Sequence, residues 1–185
     1  MNLPNSITIG RLLLVPLTVW LIISEAYGAA LAAFAMAGVS DAVDGYLARR
    51  LNQRSELGAY LDPVADKALL VSVYVTLGLA KDIPAWLTIM VVSRDILIVG
   101  AIILAWVLGR PLRVAPLMVS KVNTVAQIVF AVLVLGAAAA DRDFGWLATG
   151  GSLLVGALTV ASGGAYLVTW VRHMAIDGGG TGGTA

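Results

Sequence analysis

The sequence of 185 residues has no cysteine and a single histidine, His173. Without cysteine the chain can form neither a disulfide nor a thiolate that acts as a nucleophile or a metal ligand. One histidine cannot build a histidine-rich metal site. The formal net charge is only +1, which argues against electrostatic binding of nucleic acid. Redox chemistry at thiols and nucleic-acid binding are therefore not expected.

Charge is also scarce: 12% of the residues are charged, whereas soluble domains have about a quarter. Hydrophobic residues make up 59% of the chain, and the mean hydropathy is +0.92. This composition indicates a protein that lies in lipid. The apolar run from Ile7 to Ile23 has no basic leader before it and no small-residue cleavage pattern after it, so we interpret it as a first membrane span and not as a signal peptide.

Six segments have about the 20 apolar residues that a bilayer crossing requires. They are Ser6–Ala26, Ala29–Arg49, Leu57–Leu79, Pro84–Leu108, Lys121–Ala140 and Gly145–Val171. The sixth is rich in glycine, which suits close packing of helices. We therefore predict an all-α membrane protein with a bundle of six transmembrane helices over residues 1–175. The glycine-rich stretch 176–185 is predicted to be a disordered tail.

Lysine and arginine in the short connections predict the orientation, since they favour the cytoplasmic side. They are concentrated in the second and fourth connections and near the C-terminus. The residues are Arg49, Arg50, Arg54, Arg110, Arg113, Lys121 and Arg172. Both termini and the even-numbered connections are therefore predicted to face the cytoplasm.

Four aspartates occur between the second and third segments, in the stretch DAVDGYLARRLNQRSELGAYLDPVADK. Asp41 and Asp44 are three residues apart, and Asp62 and Asp66 are four apart, so each pair occupies one face of a helix. The intervening connection is short enough to make the two helices antiparallel neighbours. Their acidic faces are expected to converge at the cytoplasmic end of the bundle.

Carboxylates this close cannot all stay ionised without compensation, because like charges raise one another's pKa. Two Mg²⁺ or Mn²⁺ ions, which prefer oxygen ligands, would compensate them and form a clamp for phosphoryl chemistry. Gly45, Ala48 and Gly58 leave room for a ligand beside the carboxylates, and Arg49 is placed to pair with a phosphate. Two other interpretations are salt bridges with nearby Arg and Lys67, and the ion path of a cation or proton transporter.

The pattern D-x2-D-G-x2-A-R-x8-G-x3-D-x3-D resembles the signature of the CDP-alcohol phosphotransferases. All eight positions over 26 residues are met, and LPNSITIGRLLLVP and LDPVADK also look like the branch that makes phospholipids. The matching residues are Asp41, Asp44, Gly45, Ala48, Arg49, Gly58, Asp62 and Asp66.

The resemblance implies a membrane fold of about six helices, usually dimeric, with a polar cavity that opens to the cytoplasm. The membrane is expected to be a bacterial inner membrane. It implies that Asp41, Asp44, Asp62 and in part Asp66 hold two divalent ions on the diphosphate of CDP-diacylglycerol. Asp66 would also be the general base that takes the proton of the acceptor hydroxyl as CMP leaves.

The acceptor is predicted to lie between the fourth and fifth helices, where VSRD and SKVNTVAQ place polar groups inside apolar segments. Arg94, Lys121 and Asn123 are the candidate acceptor residues. The alternatives are that Arg94 pairs with Asp95 and that Asn123 and Gln127 bond between helices, as polar groups in lipid commonly do.

Similarity to related enzymes favours phosphatidylglycerol as the acceptor, and thus a cardiolipin synthase of the CMP-forming kind. Phosphatidylglycerophosphate synthases, which use glycerol 3-phosphate, often read GKxKT here, whereas this chain has Asn123 in place of the second lysine. One fewer cation is consistent with a phosphodiester, which has a single charge. Phosphatidylglycerophosphate synthase remains the alternative.

Polar residues in the first segment are candidates for binding the CDP-lipid. Asn5 and Arg11 are expected to reach the cytosine or the phosphates. The alternatives are an N-cap formed by Asn5 or Ser6 and an Arg11 side chain that extends to the membrane interface. Pro16, in the middle of the segment, is expected to kink or loosen the helix.

Overall fold

The computed structural model describes residues 3–50, 56–107, 118–142 and 145–178; side chains are described for residues 10–40, 67–100, 104, 107, 118–142, 145, 146 and 148–171. All regular structure in these ranges is α-helical. The helices are α1 (Leu3–Ile23), α2 (Tyr27–Arg50), α3 (Glu56–Ala80), α4 (Ala85–Val107), α5 (Met118–Ala139) and α6 (Gly145–Gly178). The six predicted helices are confirmed, and Pro16 lies inside an α1 that is assigned as one helix. Helix α6 runs three residues into the predicted tail, and residues 179–185 lie outside the described ranges.

The turns after α1, α3 and α5 have the same conformation. Each has one non-glycine residue with positive φ: 57° at Glu25, 67° at Lys81 and 49° at Asp141. In the first turn, the Ala26 N–H donates to the Leu21 carbonyl at 2.9 Å, and the Glu25 N–H donates to a carbonyl of the last turn of α1. The other two turns repeat this pair of hydrogen bonds, which is the Schellman cap that ends many helices. Three tight hairpins thus meet at one end of the bundle.

The helices pack in two groups. Helix α1 contacts both α2 and α3, while α6 contacts both α4 and α5, and contacts of α2 with α5 and of α3 with α4 join the groups. The apolar core includes Phe34, Val73, Leu77, Leu87 and Leu135, all at most 5% exposed.

Glycines let α6 approach its neighbours at two positions. A Cβ at Gly151 would lie 2.5 Å from the Phe130 ring, and one at Gly156 would lie 2.8 Å from the Trp86 ring. At Gly150 and Gly164 the structure shows open space. Close packing of α6 through glycine is therefore observed at Gly151 and Gly156, whereas Gly150 and Gly164 take no part in it.

Where side chains are described, every helix exposes large apolar residues. Large exposed side chains occur on all six helices and include Leu13, Val39, Leu79, Ile96, Val125 and Leu153. Within the described residues, Met118–Ala139 and Ala148–Val171 are long and apolar enough to cross a membrane, and three shorter apolar helices accompany them. These observations support a membrane protein, whereas six spans with both ends in the cytoplasm stay a prediction.

Candidate functional site

The aspartate motif lies on the two helices for which it was predicted. Asp41 and Asp44 are in α2, and Asp62 and Asp66 are in α3. The helical backbone gives each pair the spacing that puts its members on one face. The motif side chains, with those of Gly45, Ala48, Arg49 and Gly58, lie outside the described residues. No group of three Asp, Glu or His side chains is found where side chains are described, which leaves the predicted metal site as a prediction.

Arg11, in α1, is buried. Its side chain is 1% exposed, so the alternative in which it extends to the membrane interface is wrong. The N-cap alternative is also wrong, because α1 begins at Leu3 and already includes Asn5 and Ser6. The side chain of Asn5 is outside the described residues. A role for Asn5 and Arg11 in binding the CDP-lipid stays a prediction.

Arg94 and Asp95, in the middle of α4, are both 5% exposed and bind each other. Arg94 Nη1 donates to Asp95 Oδ1 at 2.6 Å. Arg94 Nη2 donates to two hydroxyls, Ser120 Oγ on α5 at 2.5 Å and Ser162 Oγ on α6 at 2.6 Å. The guanidinium also lies 6.0 Å from the centre of the Tyr166 ring. The alternative in which Arg94 pairs with Asp95 is therefore the observed one, and both Nη atoms of Arg94 are engaged by the protein itself.

Lys67 of α3 also binds Asp95, a contact that sequence reasoning did not predict. Its Nζ donates to the same Asp95 Oδ1 at 2.8 Å. The interpretation of salt bridges had paired Lys67 with the aspartate motif and not with α4. The available signal was a lysine directly after Asp66, at the start of the uncharged part of the third segment. Its partner 28 residues away depends on how α3 meets α4.

The predicted polar face of α5 is confirmed, and its residues bond to α6. Asn123 and Gln127 are at most 1% exposed. Thr159 Oγ1 donates to Asn123 Oδ1 at 3.1 Å, and Gln127 Nε2 donates to Thr159 Oγ1 at 3.5 Å. The alternative of hydrogen bonds between helices is thus observed for both residues. Lys121, in contrast, is exposed.

Asn123 Nδ2 has no hydrogen-bond partner among the described residues although it is buried. Burial of an unpaired amide is costly. Asn123 could therefore donate a further hydrogen bond through Nδ2. Acceptor binding by Arg94, Lys121 and Asn123 remains a prediction, and the three side chains differ in access: two are buried and one is exposed.

A cavity of about 510 Å³ lies beside this polar cluster, between α2, α3 and α5. Its polar lining consists of Lys67, Asp95, Thr124 and Gln127. The remaining walls are mostly apolar and include Phe34, Gly38, Leu70, Ile128 and Val132. Because Gly38 precedes Asp41 by three residues and Lys67 follows Asp66, the cavity borders the helix segments that carry the motif.

Comparison with known proteins identifies the relatives of this chain. The family model described as CDP-alcohol phosphatidyltransferase matches residues 1–170. The cardiolipin synthase (CMP-forming) of Homo sapiens is 38% identical over 152 residues, covering 74% of this chain and 50% of the human protein.

Two relatives whose names give transfer to glycerol 3-phosphate are also similar. The chloroplastic CDP-diacylglycerol–glycerol-3-phosphate 3-phosphatidyltransferase 1 of Oryza sativa is 35% identical over 88% of this chain and 55% of its own length. The enzyme of that activity from Pseudomonas fluorescens is 36% identical over 96% of this chain and 94% of its own length. The chain spans about half the length of the human and rat relatives. Because the family model covers nearly the whole chain, this protein belongs to the CDP-alcohol phosphatidyltransferase family.

Proposed function

We propose that this protein synthesises a membrane phospholipid by transferring the phosphatidyl group of CDP-diacylglycerol to phosphatidylglycerol, giving cardiolipin and CMP. The observation that carries the proposal is the complete eight-position motif on α2 and α3 of a chain that belongs to this family. The family match also favours an enzyme over a cation or proton transporter.

Asp41, Asp44, Asp62 and Asp66 would hold two divalent ions. Their ligands are all carboxylate oxygens, which suits Mg²⁺ or Mn²⁺. When bound, these ions would supply positive charge to the diphosphate of the donor and to the departing CMP. Gly45, Ala48 and Gly58 would leave space for the donor against the backbone, and Arg49 would pair with a phosphate.

Asp66 is proposed as the general base. It takes the proton from the acceptor hydroxyl while the hydroxyl oxygen forms a bond to the lipid-side phosphorus and the bond from that phosphorus to CMP breaks. The nearness of this carboxylate to the hydroxyl is what the step requires. Asn5 and Arg11 are proposed to contact the CDP part of the donor.

The access of the candidate acceptor residues supports a phosphodiester acceptor. Both Nη atoms of Arg94 are bonded to Asp95, Ser120 and Ser162, whereas Lys121 is exposed on α5. Among the three candidate acceptor residues, only Lys121 thus offers an accessible cation, which matches the single charge of phosphatidylglycerol better than the two charges of glycerol 3-phosphate. The human relative is named as a cardiolipin synthase.

Phosphatidylglycerophosphate synthase is the second candidate, with glycerol 3-phosphate as acceptor. The relative from Pseudomonas fluorescens, which matches this chain almost from end to end, has that activity in its name. For either product we propose six spans in a bacterial inner membrane, a site that faces the cytoplasm, and a homodimer.

An acceptor panel tests the proposal. Purified protein with CDP-diacylglycerol and Mg²⁺ or Mn²⁺ is expected to release CMP when phosphatidylglycerol is added, with cardiolipin identified by mass. CMP release with glycerol 3-phosphate alone would overturn the acceptor assignment. Metal flux in liposomes without any binding of cytidine nucleotides would overturn the enzyme assignment.

The general base is tested by Asp66→Asn, which is expected to lower turnover by about 1,000-fold or more, since a carboxylate that accepts the proton is lost. Asp141→Asn is the matched control, because Asp141 lies in the α5–α6 turn and asparagine tolerates its positive φ. Circular dichroism and gel filtration check the fold of both variants. Turnover near the wild-type value in Asp66→Asn would contradict the assignment of the base.

A further inference from the structure

One continuous set of hydrogen bonds joins four helices. Asp95 Oδ1 accepts from Lys67 Nζ and from Arg94 Nη1, and Arg94 Nη2 continues to hydroxyls on α5 and α6. The polar strap, as we call this set, consists of Lys67 of α3, Arg94 and Asp95 of α4, Ser120 of α5 and Ser162 of α6.

Lys67 is not needed to balance the charge of the polar strap. Arg94 alone neutralises the charge of Asp95, so that with Lys67 the net charge of the polar strap is +1. Its side chain is 41% exposed, whereas those of Arg94 and Asp95 are 5% and 7% exposed. A second cation on a carboxylate that already has a buried partner requires an explanation other than compensation of burial.

The packing of α3 supplies that explanation. Helix α3 contacts mainly α1, has fewer contacts with α4, and meets α5 at few positions. Two hydrogen bonds hold α3 at Tyr74: its hydroxyl donates to the Gln127 carbonyl of α5 at 3.0 Å, and its carbonyl accepts from Thr88 Oγ1 of α4 at 3.2 Å. Near Lys67, seven residues earlier, apolar contacts are non-directional and restrain sliding of α3 along its axis weakly. An ion pair at 2.8 Å does restrain it, because one helical turn is about 5.4 Å, well beyond hydrogen-bond reach.

We propose that Lys67 is a positioning residue whose ion pair with Asp95, together with the hydrogen bonds of Tyr74, sets the axial position of α3 against α4, α5 and α6. This inference rests on the proposed function, in which Asp66, the residue before Lys67, takes the proton of an acceptor bound by α4 and α5. The polar strap then fixes the distance between the base and the hydroxyl. A displacement of about 1 Å at a reacting centre costs on the order of 100-fold in rate.

The kinetic test compares Lys67→Met with Lys67→Arg. Methionine keeps the length of the side chain without its charge and leaves the neutral Arg94–Asp95 pair in place, whereas arginine keeps the ion pair. We expect Lys67→Met to lower kcat at least tenfold with the KM of both substrates within twofold, and Lys67→Arg to stay within threefold of wild type. Lys81→Met, the same substitution at an exposed turn, is the matched control and should have no effect.

A distance measurement tests the position of α3 without relying on activity. Because the chain has no cysteine, Leu79→Cys on α3 and Trp146→Cys on α6 give two unique spin-label sites, each about 80% exposed. Double electron–electron resonance should show a shifted or broadened distance distribution in Lys67→Met and the wild-type distribution in Lys67→Arg and Lys81→Met.

Three results would overturn the inference: a kcat within twofold of wild type in Lys67→Met, a loss that appears in the KM of the acceptor, or a lowered kcat with an unchanged distance distribution. A loss in the KM of the acceptor would mean that Lys67 contacts the substrate. A lowered kcat with an unchanged distance distribution would mean that Lys67 takes part in the reaction itself. If the wild type itself releases no CMP from CDP-diacylglycerol, the proposed function fails, and the distance measurement still decides whether Lys67 positions α3.

Discussion

Where side chains and their partners are described, the interior of α1, α2 and α3 and the interior of α4, α5 and α6 are held together by different kinds of contact. In the first group the buried threonines Thr18 and Thr76 donate to carbonyls of their own helices, at 2.7 Å in each case. In the second group several buried polar side chains bond between helices, as Thr159 does to Asn123 and Arg94 does to Ser162. The described contacts between helices are therefore mainly apolar in one group and to a large extent directional in the other.

The difference teaches how a protein with an apolar exterior can specify one arrangement of helices. In lipid, apolar surface gains little by facing another helix, because the alternative environment is also apolar. Apolar packing such as that of Phe34 and Val73 therefore selects close fit but not a unique register. The hydrogen bonds of α4, α5 and α6 have direction and reach, so they define which turn of each helix faces which.

The largest effect is expected when the Asp95 carboxylate, which binds both Lys67 and Arg94, is removed. Asp95→Leu leaves Arg94 buried without a counter-charge and is expected to cost about 3–5 kcal/mol of unfolding free energy, as measured for broken buried pairs. Reversible unfolding in mixed detergent micelles measures the loss. Ser93→Leu, on the exposed side of the same helix, is the control and should leave the stability unchanged. A loss below about 1 kcal/mol in Asp95→Leu would show that α4 does not depend on this pair.

A smaller effect separates hydrogen bonds between helices from those within one helix. Thr159→Val removes the donor to Asn123 and is expected to cost about 1–2 kcal/mol, since a buried acceptor loses its partner. Thr18→Val removes a hydroxyl bonded within α1, and we expect a loss below about 0.5 kcal/mol because that carbonyl already belongs to the hydrogen-bond ladder of the helix. Equal losses in the two variants would contradict the distinction between the groups.

The smallest effect is expected where the two groups do not differ, at the three hairpin turns. Glu25→Gly and Lys81→Gly should each raise the unfolding free energy by up to about 1 kcal/mol, because glycine adopts a positive φ without steric cost. Asp141→Gly should gain less, since aspartate tolerates this conformation better. Differential scanning calorimetry in detergent ranks the three variants. A loss of stability in all three variants would mean that the side chains of Glu25, Lys81 and Asp141 stabilise the fold by more than their positive φ destabilises it.

Much of the fold followed from local pattern. The six apolar segments predicted the helices within three residues at every end but the last, because length and hydropathy are properties of each segment by itself. The polar face of α5 was also readable, since Asn123 and Gln127 are one turn apart. Arg94 was recognised from the sequence as a charge inside an apolar segment that needs a partner. The sequence did not show whether that partner is a substrate or another side chain of the protein.

The partners required the tertiary structure. Lys67 and Asp95 are 28 residues apart, and Arg94 reaches Ser162 across 68 residues, so no local spacing relates them. Nor did composition distinguish Gly151, which packs against Phe130, from its neighbour Gly150, which faces open space. Which side of a helix meets another helix depends on how all six are packed.

The sequence by itself determined an all-helical chain, an apolar exterior and a motif whose spacing places two pairs of carboxylates on two helix faces, because these depend on residues within a few turns of one another. Only the tertiary structure decided that Arg94 is engaged by Asp95, Ser120 and Ser162, that Lys67 joins α3 to α4, and that α5 bonds to α6 through Asn123. The physical reason is that a buried charge or amide must find its partner in space, and the chain brings that partner from a distant helix.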